Sequence, residues 1–104
     1  MSEPDNGSTV SVPAGTTLTL VLHSTYWTVD PSSNPAVLAE RGSPTVAPQT
    51  QGCVPGQGCG TVAAHFGAIA AGTATISAHR SSCGEALRCT PDQSSYRVLV
   101  RVTP

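Results

Sequence analysis

From Tyr96 to Val102 every second residue is apolar: Tyr96, Val98, Val100 and Val102 alternate with Arg97, Leu99 and Arg101. Successive side chains of an extended strand leave opposite faces, so this run predicts a strand with one face buried and one in water. Leu99 alone breaks the polar face. Two earlier stretches repeat the pattern. Leu18, Leu20 and Leu22 alternate with Thr17, Thr19 and Val21, and Ala74, Ile76 and Ala78 alternate with Thr73, Thr75 and Ser77. Nowhere does helical spacing persist for three turns, which leaves a helix of any length without support.

Shorter strands fill the intervals. Thr9–Val12 is closed by Pro13-Ala14-Gly15, Tyr26–Val29 is stopped by Asp30-Pro31, and Ala36–Glu40 follows. A brief strand is expected near Thr45-Val46. Thr61–Ala70 is longer, with Val62, Ala64 and Phe66 on one face, and Ala71-Gly72 turns it into the Ala74 strand. About seven short strands with turn signals between them, in 104 residues, predict an all-β, immunoglobulin-like Greek-key β-sandwich of one domain. Trp27, the sole tryptophan, is expected to fill the middle of that core, with ligand stacking as the alternative. Residues 1–8 are polar and read as a linker or appended tail, with residues 9–104 as the domain and the whole as a module of a longer or processed precursor. The sequon Asn6-Gly7-Ser8 falls within that tail.

Net charge is −1 and only 11% of residues are charged, so no field attracts nucleic acid or an anionic membrane. No run of 18 apolar residues exists to span a bilayer. All five basic residues are Arg, a bias that hints at a GC-rich bacterial genome. A monomer is expected, because Pro13 and the charges of the last strand discourage edge pairing.

The four cysteines fall as Cys53-x5-Cys59 and Cys83-x5-Cys89. An even number in a small, loop-rich chain predicts disulfides and an extracytoplasmic location. Three connectivities are open; pairing 53 with 59 and 83 with 89 is favoured because Pro55-Gly56 can turn the first loop back on itself. Four thiolates on one zinc ion are the alternative, against which the spacing of five speaks, since paired zinc ligands usually stand two to four residues apart. Each pair lies in a long connection, roughly residues 41–60 and 80–94. Connections of that length are uncommon in compact domains and tend to be functional or disordered. A staple lowers the entropy lost when a loop meets a partner, and equally it tames a loose connection.

No catalytic constellation emerges. His23 and His65 have the outward parity of their strands, and His79 ends its strand just before Arg80. Asp30, Glu40, Glu85 and Asp92 are dispersed, Gly-x-Ser-x-Gly is missing, and Gly56-Gln57-Gly58-Cys59-Gly60 has neither a following helix nor a lysine to hold phosphate. The expectation is a non-catalytic module without metal or cofactor, structural or protein-binding. A small enzyme or metal protein using His79 with cysteines stands as a further alternative.

Ala71-Gly72-Thr73-Ala74-Thr75-Ile76, set between a strand and a final valine-rich strand, resembles the corner of bacterial immunoglobulin-like domains. The strand order over residues 9–103 also resembles chagasin-type inhibitors of papain-like cysteine peptidases. The resemblance implies three loops at one end of the sandwich that wedge into a peptidase cleft. The first family loop carries Asn-Pro-Thr-Thr-Gly before a core Trp; Ser24-Thr25-Tyr26-Trp27 keeps a Thr and the Trp. Gly56, Gly58 and Gly60, with Gln57 among them, stand for the glycine cluster of the second. Of Arg-Pro-Trp in the third, Arg80-Ser81-Ser82 keeps only the Arg. The cysteines are a further departure, since that family does not ordinarily depend on disulfides. Candidate partner-binding residues are therefore Ser24, Thr25, Gly56, Gln57, Gly58, Gly60, Arg80, Ser81 and Ser82, and the implied partner is a cysteine peptidase.

Overall fold

The two strands with the strictest alternation lie side by side in the computed structural model. It describes residues 1–48, 58–84, 87–89 and 94–104. Strand β7 (Gly72–His79) runs antiparallel to β10 (Ser95–Thr103), with Ala78 opposite Tyr96, Ile76 opposite Val98 and Ala74 opposite Val100. Large side chains of β10 mostly face small ones of β7, which leaves room for the second layer. Strand β1 (Thr9–Pro13) pairs with the other edge of β10, in parallel. Strand β3 (Thr28–Val29) covers only Ala78 and His79 of β7.

Beyond β3 the chain still serves the β7 edge. The Asp30 amide donates to the Ser77 carbonyl at 2.9 Å and the Ser33 amide to that of Thr75 at 3.2 Å. The Thr75 amide donates in turn to Ser33 Oγ at 2.7 Å. Ladder groups left open by a short strand are thus satisfied by its neighbours.

The second sheet is built on β6 (Gly60–Ala68), with β2 (Thr17–His23) antiparallel on one side. Two short strands share the other side: β4 (Leu38–Glu40) pairs with Ala68 to Phe66 and β5 (Thr45–Pro48) with Ala63 to Gly60. The inner faces of both sheets close one core. It includes Leu20, Leu22, Leu38, Val62, Phe66, Ile76, Val98 and Val100, all essentially inaccessible, with Trp27 at its margin. Burying each aliphatic side chain contributes roughly 1.5–3 kcal/mol, so this cluster is the main source of stability. Gly72 sits where the core closes against Val37: its φ is +148°, and a Cβ there would lie 2.7 Å from Val37 Cγ2.

The sandwich and the alternation of its long strands match the expectation. Three features differ. Ten strands are present among the described residues, because short edge pieces share β6 and because the 80–94 connection holds a small hairpin, β8 (Ser82–Gly84) with β9 (Leu87–Arg88). The first and last strands pair in parallel, a contact between chain ends that local pattern does not encode.

Residues 1–8, expected as a linker, lie against the sandwich. Met1 flanks β2, its amine donating to the Thr19 carbonyl at 2.8 Å and its carbonyl accepting from the Val21 amide at 2.9 Å. A single 3-10 turn (Glu3–Asp5) then leads to β10, where the Gly7 amide donates to the Arg97 carbonyl at 2.7 Å. Tyr96 Oη donates to the Ser2 carbonyl at 2.8 Å, and the Arg97 amide to Asn6 Oδ1 at 3.0 Å. The segment is a strap between the edges of the two sheets. Its polar composition concealed this: Met1, Ser2, Gly7 and Ser8 dock through backbone atoms, and the polar side chains of Glu3 and Asn6 bond to the sandwich.

Candidate functional site

Antiparallel pairing decides which loops meet. The end of β2 lies beside the start of β6, and the end of β7 beside the start of β10, so the connections after His23, before Gly60 and after His79 emerge at one end. The Ser24 amide donates to the Gly60 carbonyl at 2.9 Å and the Thr25 amide to the Gly58 carbonyl at 2.8 Å. Ser24 adopts φ +109°, a region few non-glycine residues enter, at a cost of about 1–3 kcal/mol. Its own bond to Gly60, the adjoining one from Thr25 to Gly58, and the Tyr26 amide, which donates to Ser24 Oγ at 3.2 Å, hold it there.

Tyr26 lies on Gly58. A Cβ on that glycine would stand 2.5 Å from Tyr26 Cε2, and Gly58 has φ +66°, so both space and backbone require glycine. Trp27 turns inward and donates from Nε1 to the His23 carbonyl at 3.0 Å. The Arg80 guanidinium lies over its ring, 4.5 Å from the centroid. The Arg80 amide donates to the Ser94 carbonyl at 2.9 Å, extending the β7–β10 ladder by one rung. Cys83 is bonded to Cys89, with Cα atoms 5.1 Å apart, and the Cys89 amide donates to the Ser81 carbonyl at 3.3 Å. Cys59 is also in a disulfide.

These parts enclose an open cleft lined by His23, Ser24, Gly58, Cys59, Gly60, Thr61, Arg80 and Cys83. Of the candidate residues, Ser24, Gly58, Gly60 and Arg80 border it directly, Thr25 is tied to it through Gly58, and Ser81 and Ser82 lead into the β8–β9 hairpin behind it. Gly56, Gln57 and Cys53 lie outside the described residues. Members of both cysteine pairs reach the same cleft. With Cys83 joined to Cys89, the four-thiolate alternative falls.

The histidines do not assemble into a centre. His79 Nδ1 lies 3.1 Å from Asp30 Oδ1, His65 Nδ1 lies 3.1 Å from Thr19 Oγ1, and His23 Nδ1 lies 3.0 Å from Glu3 Oε1. Glu3 also accepts from the His23 amide. Burial by itself would raise the Glu3 carboxyl, but the hydrogen bonds from His23 outweigh it and hold it below its ordinary value. Among the described residues no three His, Cys, Asp or Glu side chains converge as metal ligands would.

Sequence reasoning missed Tyr26 and Glu3. Tyr26, expected to open a strand, lies in the turn before β3 (Thr28–Val29), and its target, Gly58, is far along the chain. Glu3 was hidden in the supposed linker.

The arrangement defines a β-sandwich that presents three loops at one end. Solved structures that share that fold include the following two. The cysteine protease inhibitor EhICP2 from Entamoeba histolytica superposes with a TM-score of 0.69 at 14% identity, covering 99% of this chain and 93% of that one. The solution structure of Amebosin gives 0.61 at 19% identity, covering 99% and 95%. No protein-family model matches the chain, and no curated protein sequence matches it.

Proposed function

We propose that this chain is a non-catalytic inhibitor of papain-like cysteine peptidases, which presses three loops from one end of the sandwich into the enzyme's substrate cleft and acts outside the cytoplasm. The observation that carries this reading is the convergence of the Ser24–Trp27 turn, the Gly58–Gly60 segment and the Arg80–Cys83 segment on one face. The likeness in fold to EhICP2, itself a cysteine protease inhibitor, extends over nearly the whole of both chains and supports it. The first expectation is a non-catalytic module, structural or protein-binding. A purely structural role accounts for the sandwich but leaves that convergence without a purpose. The inhibitor reading gives the protein-binding role a partner.

The bonding suits the task. Amides of Ser24 and Thr25 already donate to carbonyls of Gly60 and Gly58. Loops joined in this way do not open readily into the extended strand that a peptidase cleaves. Their ordering precedes binding, so little entropy is lost on docking. The Cys83–Cys89 bond adds to this and fits an oxidising location.

The test is a titration of a papain-like peptidase, activated and then freed of reductant, with the oxidised protein. Saturable inhibition at submicromolar protein, with the inhibitor recovered uncleaved, is the expected result. Rapid cleavage of the chain, or no inhibition at micromolar protein across several such peptidases, overturns the proposal.

A further inference from the structure

Two adjacent aromatic residues of the first loop each hold a different neighbour. The ring of Tyr26 covers Gly58 of the second loop. The indole of Trp27, anchored through Nε1 to the His23 carbonyl and 7% exposed, carries the Arg80 guanidinium of the third. We infer that Tyr26-Trp27 is the pivot that sets the placement of all three loops, with Tyr26 acting through Gly58 and Trp27 acting through Arg80. Both are positioning residues, and Arg80 is the group whose placement the partner reads. The inference rests on the inhibitor reading for its functional half alone.

Physical chemistry favours this division. A flat guanidinium stacks on an indole face, whereas an ammonium is a compact, strongly hydrated charge on a flexible stem. Arg80 follows a strand end whose last rung is the Arg80–Ser94 hydrogen bond, so its backbone is fixed and the indole fixes its far end. A loose arginine would lose side-chain entropy on docking; a stacked one has lost it beforehand. Gly58 matches Tyr26 in the same sense, since its missing Cβ is the space the phenol ring fills.

A double-mutant cycle on inhibition, read with a measurement on the free protein, tests this. Arg80→Ala should weaken inhibition roughly fivefold to thirtyfold, the range a stacked cation supplies. Trp27→Leu should weaken it comparably, and the double variant no further than the weaker single variant. Trp27→Phe, which keeps a ring, should recover most of the loss, and this covers the case in which the Leu variant folds poorly. In the free protein the Arg80 side-chain protons should be shifted upfield by the indole ring current and return toward ordinary arginine positions in Trp27→Leu, while Trp27→Phe, whose ring also stacks, should keep part of the shift. Multiplying effects in the cycle overturn the coupling and leave the inhibitor reading standing. Unshifted Arg80 protons in the wild type overturn the pivot whatever the inhibition shows. A wild type that inhibits nothing while its Arg80 protons are shifted overturns the functional half and keeps the structural one.

Discussion

The β7–β10 ladder and the loop end it carries are continuous in the chain and held by different physics. Along the ladder, Ala74, Ile76 and Ala78 meet Val100, Val98 and Tyr96 over eight paired positions, and stability comes from apolar area. Beyond the last rung, Arg80 to Ser94, the contacts among the described residues include single hydrogen bonds, the disulfides of Cys59 and Cys83, an aromatic ring on a glycine and a cation on an indole. The ladder tolerates exchange among residues of similar size and polarity, because burial is not directional. The loop end does not, because each of its contacts names particular atoms. A core can therefore be damaged in proportion to the volume removed, whereas a site of this kind loses function through changes that hardly affect stability.

The largest expected effect sharpens the first half of that contrast. Ile76→Ala removes a fully buried side chain and should lower unfolding free energy by about 3–4 kcal/mol in urea denaturation. The remaining folded protein should bind its partner normally; weakened binding per folded molecule would break the separation between core and loop end. Next, replacing Cys83 and Cys89 together by Ser opens a short ring and should cost about 2 kcal/mol on chain-entropy grounds. Here binding should fall more than the stability change explains, and equal losses would place the staple in the scaffold instead.

Gly58→Ala should cost about 1–2 kcal/mol, from its positive φ and the Tyr26 ring, with a disproportionate loss of inhibition. Unchanged inhibition would show that the second loop does not touch the partner. The smallest effect concerns the strap. Tyr96→Phe deletes the hydrogen bond to the Ser2 carbonyl and should cost about 1 kcal/mol. Burial first, and then the charges of Asp5 and Glu3, push the Tyr96 hydroxyl up to about 12. The neutral phenol is thus favoured by folding: its contribution is intact below pH 10 and is lost as pH rises from about 10 to about 12. Thermal melts across that window should show a decline that the Phe variant lacks.

How much could be read from the chain alone follows from the same contrast. Tyr96, Val98, Val100 and Val102 announce a strand and its inner face, because alternation is a local property of extended backbone. His23 and His65 could be assigned to the surface from parity, and both are exposed. The strap could not be foreseen, since Met1 and Gly7 dock through main-chain atoms that every residue possesses. Neither could the fit of Tyr26 to Gly58, thirty-two positions away by numbering.

The sequence by itself determined where the long strands lie, which side of each is buried, and that two cysteine pairs sit in long connections. Only the tertiary structure decided that the first strand pairs in parallel with the last, that residues 1–8 bridge the two sheets, and that the turn at Ser24–Trp27, Gly58–Gly60 and Arg80–Cys83 form one face. The reason is physical. Burial imprints a periodic demand on neighbouring residues, while strand pairing and loop contact are made between distant backbones and leave almost no mark on composition.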